Sequence, residues 1–297
     1  MYKVLIWGCG TAYNAHLLHL RRMEETGEAR IVGVYSRDLH FGRTLDGFPI
    51  LSKNEIPFVE HDYLLVMATK GQEEILKEYL ALGGRRDKFL PCRVLDLPDL
   101  SFSRYIRIKE ARFSILSETC YAGILYNTLC MEVLSPFKNL WVARKDYFRI
   151  LADLPHYMSL SPVLWKPSDY AARPYDQPGY PILRLDGDIL LNCNHYSDPD
   201  DAISKWNERR RKINYQNILA TFFAEDRGAE EEFYQLPVLG RRLCFTPYPS
   251  DLPDSAYVPE EGGEYSFTGQ HRTGKPYNTL IDIYSLFFGP VKYRRFE

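Results

Sequence analysis

The chain opens with an apolar segment that leads directly into two closely spaced glycines. Residues Val4 to Trp7 have the composition of a buried strand, and Gly8 and Gly10 follow them before helical spacing begins at Thr11. Gly8 permits a tight turn out of the strand, and Gly10 lets backbone N–H groups approach a phosphate at a helix N-terminus. The pattern predicts the first unit of an α/β nucleotide-binding fold, with Thr11 as the N-cap and Gly8, Gly10 and Thr11 as ligand contacts.

Two departures separate this opening from the usual dinucleotide pattern G-x-G-x-x-G. Tyr13 stands where the third glycine belongs, and Ser36 and Arg37 follow the second strand where an acid normally binds the ribose 2′-hydroxyl. Plain NAD binding is therefore disfavoured, and another nucleotide-type ligand, a nucleotide or a nucleotide-sugar, stays the candidate. Ser36 and Arg37 also fit a 2′-phosphate, so an NADP-linked oxidoreductase stays an alternative, as does a polar turn that binds nothing.

The pattern of strand, loop and helix continues after the opening unit. Short apolar segments at 47–51, 62–68 and 88–90 alternate with a helical stretch at 72–82. We therefore predict an α/β chain with a small, doubly wound, five-stranded parallel sheet over residues 1–108. A second α/β domain is predicted over 109–297, because 297 residues are long for a single domain.

Charge and cysteine usage narrow the class of partner. A formal net charge of −2 gives no basic field for nucleic acid, so a small molecule is the predicted partner. The six cysteines form no C-x-x-C pair, which disfavours a structural metal site and a disulfide framework, and favours a reducing cytoplasm. No uncharged apolar run reaches the length of a membrane span, although peripheral membrane contact stays open.

A strand and a helix in the second half of the chain carry the strongest cluster of polar residues. The strand predicted from Ile189 to Tyr196 ends in an amide, an imidazole and a phenol, and Asp198 with Pro199 predicts a helix start directly after it. At helical spacing, two arginines near the end of this helix lie at the margin of its apolar side. The predicted substrate-binding residues are Asn194, Tyr196, Arg209 and Arg210.

The next strand, 217–224, ends in Glu225 and Asp226. If the two strands are parallel neighbours, their carboxyl ends meet at one edge of the sheet, and His195, Glu225 and Asp226 become the predicted catalytic residues. His195 or Glu225 would serve as general base for a hydroxyl, and the arginines would hold a phosphate. The alternative is structural: the arginines pair with these two carboxylates, and His195 is a core residue.

A cysteine in the second half of the chain and a basic loop in the tail each have a functional and a structural interpretation. Cys120 follows the apolar strand 113–117 at a turn into a helix, where a cysteine serves either as a nucleophile with a nearby base or as a small packed side chain. In the tail, His271, Arg272 and Lys275 form a basic loop that suits a lid over a ligand or a solvated surface.

The N-terminal third resembles the small Rossmann-like domain of bacterial sugar acyltransferases and related cell-surface polysaccharide enzymes. That resemblance implies nucleotide-sugar binding. It is carried by Ile6-Trp-Gly-Cys-Gly10, Val32-Gly-Val-Tyr35, Gly47-Phe-Pro-Ile50 and Asp62-Tyr63.

From residue 112 the chain resembles a bacterial family described as exopolysaccharide or capsular polysaccharide biosynthesis proteins. That family implies a place in polysaccharide assembly but no particular reaction. Together with the glycine turn, the two inward arginines and the polar strand ends, it leads to the hypothesis of a transferase, glycosyl or acyl, that uses a nucleotide-sugar or another activated donor. The sequence requires no cofactor, and a non-catalytic scaffold of the same pathway stays an alternative. At Thr119–Gly123 the chain departs from the Asn-Cys-Trp-Gly-Gly expected there. The matching segments are Phe113–Gly123, Leu134–Pro136, Asn139-Leu140, Asp146–Phe148, Asn194–Tyr196, Lys205-Trp206 and Arg209–Asn214.

Overall fold

A computed structural model describes residues 1–40, 42–98, 100–165, 179–259 and 281–294 of the chain. The chain forms an α/β protein with two compact units, Met1–Arg107 and Ile108–Glu297. Residues 271, 272 and 275 of the basic loop lie outside the described ranges.

Unit 1 is built on a sheet of four parallel strands in the order β2-β1-β5-β6. Because β1 lies between β2 and β5, the chain leaves β1 and β5 in opposite directions, which is the doubly wound arrangement. The strands are β1 (Tyr2–Trp7), β2 (Ala29–Tyr35), β3 (Thr44–Leu45), β4 (Phe48–Pro49), β5 (Tyr63–Val66) and β6 (Phe89–Pro91), and the helices are α1 (Thr11–Glu25), α2 (Gln72–Ala81) and α3 (Phe102–Ala111).

The fifth strand predicted for this sheet, at 47–51, is wrong. Strands β3 and β4 instead form a separate antiparallel hairpin, and Ile50, directly after β4, bridges to Val34 of β2. Asp46 and Gly47 both have positive φ, 52° and 88°. An Asp-Gly pair in that conformation reverses the chain in two residues, so the segment folds back on itself.

The core of unit 1 packs around the central strands. Leu5, Trp7, Leu64 and Val66 are buried together with Tyr79 of α2. Strands buried on both faces need continuous apolar runs, and β5 is buried at every residue. This packing holds the carboxyl ends of β1 and β5 side by side.

Unit 2 contains two four-stranded sheets of different kinds. The parallel sheet has the order β14-β13-β12-β7, and the antiparallel sheet has the order β8-β11-β10-β9. The strands are β7 (Ser114–Ser117), β8 (Trp141–Val142), β9 (Val163–Leu164), β10 (Ile182–Leu185), β11 (Ile189–Asn192), β12 (Ile218–Phe223), β13 (Arg241–Thr246) and β14 (Ser255–Tyr257). The helices are α4 (Tyr121–Thr128), α5 (Arg144–Ala152), α6 (Leu154–Ser159), α7 (Pro199–Arg210), α8 (Arg227–Gln235) and α9 (Ile283–Phe287).

The predicted parallel pairing of β11 with β12 is wrong, because the two strands belong to different sheets. Strand β11 pairs with β10 as an antiparallel hairpin, with Leu185 opposite Ile189. Asp186 and Gly187 have φ values of 40° and 65°, so a tight reversal joins the two strands. Strand β12 pairs in parallel with β7 and β13.

The connection between the neighbouring strands β7 and β12 runs from Glu118 to Asn217 and contains the entire antiparallel sheet. The last residues of this connection are hydrogen-bonded to residues close to its start. The Ser114 hydroxyl accepts a hydrogen bond from the Asn214 backbone N–H at 2.8 Å, and the Asn217 amide donates to the Ala111 carbonyl at 2.7 Å. The crossover is thus long in sequence, but hydrogen bonds hold its two ends close together; these bonds are called its closed base below.

Candidate functional site

Cys120 lies at the carboxyl end of a parallel strand, immediately before a helix. Strand β7 ends at Ser117, and Cys120 is the N-cap residue of α4. The thiol is half-buried, while all six cysteines of the chain are free. Ligands of parallel α/β sheets bind outside the carboxyl ends of the strands, so Cys120 occupies the edge where chemistry is expected.

The antiparallel sheet delivers an imidazole to this thiol. His195 follows β11, and its Nε2 lies 3.1 Å from the Cys120 sulfur. Asn194 also contacts the sulfur, with its amide nitrogen at 3.6 Å. The Leu140 carbonyl oxygen is 3.9 Å away. A sulfur and a ring nitrogen at this separation can exchange a proton directly, so the geometry is that of a nucleophile with its base.

The surroundings keep the thiol protonated at rest. Burial raises the pKa of Cys120, and the hydrogen bond from Asn194 opposes that rise only in part. The thiolate is the nucleophilic form of cysteine. The thiol therefore needs a base at the moment of reaction, and His195 is the group in position to supply it.

Glu118, two residues before the cysteine, is a buried carboxyl. One of its oxygens accepts the Phe223 backbone N–H at 2.8 Å, and its own carbonyl accepts the Val142 N–H at 2.7 Å. Burial raises the pKa of Glu118 to about 8. A mostly neutral carboxyl at this point joins β7, β8 and β12, and so supports the backbone that carries Cys120.

Two half-buried cations, Arg209 and Lys138, lie on segments that contact each other and the residue after His195. Arg209 donates through Nη1 to the Tyr196 hydroxyl at 2.8 Å and to the Lys138 carbonyl at 3.3 Å. Lys138 donates through Nζ to the Asn127 side-chain oxygen at 2.9 Å. Within the described ranges, neither cation forms an ion pair with a carboxylate.

The two predicted acids follow β12, the strand that pairs in parallel with β7. Glu225 is exposed, and Asp226 caps α8 by accepting the Ala229 N–H at 2.8 Å while its other oxygen lies 3.9 Å from Arg144. Among the residues the structure describes, neither carboxylate hydrogen-bonds to His195. The parallel pairing that was to place them beside that imidazole is wrong, because His195 follows β11 in the other sheet, and their catalytic roles stay predictions.

The structural alternative for the two arginines is also wrong. Arg210 donates to the Asn207 side-chain oxygen at 2.8 Å and to the Met158 carbonyl at 2.7 Å. Arg209 bonds a hydroxyl and a carbonyl, as described above. Both side chains are half-buried, as helical spacing predicts, but their partners in the described part of the chain are neutral groups and not Glu225 or Asp226.

The glycine turn of unit 1, Gly8 to Gly10, follows β1 next to the carboxyl end of its parallel neighbour β5. Gly8 has φ 103°, and a Cβ there would stand 3.0 Å from the Met67 carbonyl oxygen. Gly10, not Thr11, is the N-cap of α1, because Gly10 is extended and Thr11 is already helical. A Cβ on Gly10 would meet nothing within 4 Å. The helix N-terminus is therefore open at the position where a phosphate would bind.

Side chains around this turn differ from those of a dinucleotide site. The Tyr13 ring is buried, and its hydroxyl donates to the Asp46 carboxylate at 3.1 Å. Arg37 donates to Glu78 at 3.0 Å, and the Ser36 carbonyl closes a turn with the Leu39 N–H. The Arg37 guanidinium thus already has an anionic partner. A cavity of about 620 Å³ in the same unit lies along the second half of α1 and does not include the glycines.

The sequence predicts His195 as a catalytic residue and Asn194, Tyr196 and Arg209 as substrate-binding residues. Cys120 is a separate candidate there. The structure brings these residues together, although Cys120 and His195 are 75 positions apart. Lys138 was missed. A lysine after a phenylalanine in a loop carries no pattern that distinguishes it from a solvated surface lysine.

Comparison with known proteins places these residues in family context. Residues 93–264, more than half of the chain, match the family described as domain of unknown function (DUF1919). The chain belongs to the DUF1919 family. Cys120, His195, Lys138 and Arg209 all lie within the DUF1919 region. Residues 1–90, which contain the glycine turn, match the family described as C2185-like, N-terminal.

A curated relative shares much of the same stretch. A protein of Haemophilus influenzae described as "Uncharacterized protein" is 24% identical over 191 residues, which cover 61% of this chain and 86% of that protein. None of the helices in the described ranges is long and apolar enough to cross a bilayer.

Proposed function

We propose that the DUF1919 region of this chain is a thiol-dependent acyltransferase, with Cys120 as nucleophile and His195 as general base. The observation that carries the proposal is the 3.1 Å separation of the Cys120 sulfur from His195 Nε2. The thiol stands at the carboxyl edge of a parallel sheet, and its raised pKa makes a base necessary. Sulfur nucleophiles form thioesters readily, so acyl transfer fits a cysteine better than glycosyl transfer does.

The proposed reaction has two steps. His195 Nε2 takes the Cys120 proton while the sulfur attacks the carbonyl carbon of an activated acyl donor. The bond to the donor's leaving group breaks, and the imidazolium returns its proton to that group. An acceptor hydroxyl then attacks the thioester, His195 takes the hydroxyl proton, and that proton passes to the departing sulfur, which restores the thiol.

The acceptor proposed for this reaction is a sugar hydroxyl of a cell-surface polysaccharide or its precursor. Support comes from the resemblance of the chain to polysaccharide biosynthesis proteins and of its first third to sugar acyltransferases. A sugar supplies hydroxyl groups that are poor nucleophiles without a base, and His195 meets that need.

Reaction with p-nitrophenyl acetate tests the proposed chemistry without knowledge of the natural donor. The expected result is a burst of about one equivalent of p-nitrophenolate, with an acetyl group on the peptide that contains Cys120. Cys120→Ala should abolish both signals. Cys130→Ala, which changes another half-buried thiol, should retain them. An equal burst from Cys120→Ala would overturn the proposal and favour a non-catalytic scaffold.

We propose nucleotide-sugar binding as a second function, located in unit 1. It is supported by the open N-terminus of α1 at Gly10 and by the position of Gly8 between β1 and β5. Calorimetric titration with UDP- and GDP-sugars tests it, and flat titrations across the panel would refute it. The NADP-linked oxidoreductase is disfavoured because Glu78 already binds Arg37; quenching of tryptophan fluorescence by NADPH would revive it.

A further inference from the structure

The surroundings of Lys138 and Arg209 point to a ligand. Both cations are half-buried, and their described partners are uncharged: the Asn127 amide for Lys138, and the Tyr196 hydroxyl and the Lys138 carbonyl for Arg209. Burial and the charge of Arg209 both lower the pKa of Lys138. Two like charges close enough to affect each other are stabilised by an anion between them.

Three sets of contacts connect this pair of cations to the reacting sulfur. Arg209 binds the hydroxyl of Tyr196, the residue after His195. The stem of Lys138 passes so close to Gly123, in the first turn of α4, that a Cβ there would stand 3.1 Å from Lys138 Cγ. The loop continues to Leu140, whose carbonyl oxygen lies 3.9 Å from the Cys120 sulfur. The Lys138 ammonium itself lies at Asn127, about 10 Å further along α4 than Cys120. An anion held by the two cations would therefore lie within reach of a donor whose acyl group is at the thiol.

The first turn of α4 adds to the positive potential. It carries no acidic side chain, and Cys120 caps it without a side-chain hydrogen bond to the backbone. Backbone N–H groups in the first turn of a helix favour negative charge. Tetrahedral intermediates of acyl transfer also develop negative charge, so a positive environment at this turn suits the proposed chemistry.

We infer that Lys138 and Arg209 form a binding site for a phosphate or pyrophosphate group of the acyl donor, at a distance from Cys120 that an extended donor can span. This inference rests on the proposed transfer at Cys120 and specifies its substrate class, a phosphorylated acyl donor. A planar guanidinium and a flexible ammonium together match phosphate oxygens in geometry and charge. A neutral acyl ester would leave both cations without a counterion.

Calorimetric titration with inorganic pyrophosphate tests the site independently of the thiol reaction. We expect saturable binding that weakens as KCl concentration rises, and a loss of about tenfold in affinity for each charge removed by Lys138→Met or Arg209→Met. The matched control is Arg211→Met with Lys212→Met, which removes two exposed cations from the end of the same helix. No binding by the wild-type protein, or an equal loss in the control, would overturn the inference.

A second measurement connects the site to the donor. Acetyl coenzyme A and p-nitrophenyl acetate transfer the same acyl group, but only the first carries a pyrophosphate, which a flexible arm separates from the thioester. We expect Lys138→Met to lower the ratio of Cys120 acetylation rates, acetyl coenzyme A over p-nitrophenyl acetate, by about tenfold or more. An unchanged ratio would contradict the inference. If neither reagent acetylates wild-type Cys120, the proposed function fails, while pyrophosphate binding still decides the anion site.

Discussion

The chain contains two turns with the same local construction and different contents. In each, a parallel strand ends at the carboxyl edge of its sheet and the chain enters a helix: β1 leads through Gly8 and Gly10 to α1, and β7 leads through Thr119 and Cys120 to α4. The glycine turn leaves open space where a Cβ would be at Gly10. The cysteine turn is crowded by His195, Asn194 and the loop that ends at Leu140.

The two turns show two functions that the carboxyl edge of a parallel sheet can serve, binding and reaction. At the glycine turn, Gly8 and Gly10 carry no side chain, so backbone amides can face the edge of the sheet, and these amides suit the recognition of negative charge. Where a long excursion of the chain returns an imidazole to the turn, a proton can be moved and a covalent bond formed. The first turn is suited to binding and the second to reaction.

Removal of the imidazole gives the largest expected effect, since it leaves the cysteine turn without its base. His195→Asn should slow acetylation of Cys120 by p-nitrophenyl acetate at pH 7 by about 100-fold to 10,000-fold, the usual contribution of a general base. Stopped-flow measurement of the burst rate checks this. His156→Asn, an exposed histidine bonded to Asp186, is the matched control. A similar rate in His195→Asn would remove the distinction between the two turns.

The buried carboxyl at the cysteine turn should make stability depend on pH. The pKa of Glu118 is about 8 in the folded protein and about 4.5 when unfolded. The unfolded chain therefore loses its proton first, and the stability of the wild type relative to Glu118→Gln should fall by about 3 to 5 kcal/mol between pH 4.5 and 8.

Urea unfolding of both proteins at pH 5 and pH 8 measures this difference. Glu231→Gln, a change at an exposed helix position, should show no comparable dependence. Parallel pH curves for wild type and Glu118→Gln would mean that the carboxyl is ionised in the folded state, and would contradict the expectation.

The protonated resting state of the Cys120 thiol should make its alkylation rate rise gradually with pH, which is a smaller effect than the two above. Because burial raises the pKa of Cys120, its thiolate fraction at pH 7 is low. Alkylation of Cys120 by iodoacetamide should accelerate about tenfold for each pH unit from 7 to 9, since the thiolate is the reactive form. Peptide mass spectrometry after timed quenching gives the rate. A plateau below pH 8 would indicate a thiolate already formed, and would make His195 unnecessary as a base in the first step.

The smallest effect compares the two glycines of the other turn. Gly8→Ala should destabilise the protein by about 1 to 3 kcal/mol, because φ is positive and the new Cβ would meet the Met67 carbonyl oxygen. Gly10→Ala should cost less than about 1 kcal/mol, since φ is −84° and the space is empty. Urea midpoints measure both. Equal costs would mean that the space at Gly10 is not open in solution.

Local patterns predicted the local parts of the fold. The strands β1 and β12, and the start of α7 at Pro199 with Asp198 as its cap, follow from apolar runs and helix-start residues. The hairpin β10–β11 also had a local signal in Asp186-Gly187. That dipeptide is typical of a tight turn, but it does not by itself show which strands pair on either side of it.

The candidate site depends on pairings that no local pattern contains. His195 reaches Cys120 because β11 pairs with β8, and because the Val142 N–H of β8 hydrogen-bonds the Glu118 carbonyl just after β7. Each segment alone is compatible with several partners of similar apolar character. Lys138 is harder still, since only the approach of its loop to Gly123 brings it near the thiol.

The closed base of the crossover has a practical consequence for engineering. Hydrogen bonds between Ser114 and Asn214, and between Ala111 and Asn217, fasten its return close to the start of β7. An excursion closed in this way resembles a domain inserted into a host loop, and such inserts can be exchanged or opened to create new chain ends. Exchange of only the part of the excursion that follows α4 would keep Cys120 while changing its acid–base partner, so that one scaffold could be adapted to other leaving groups.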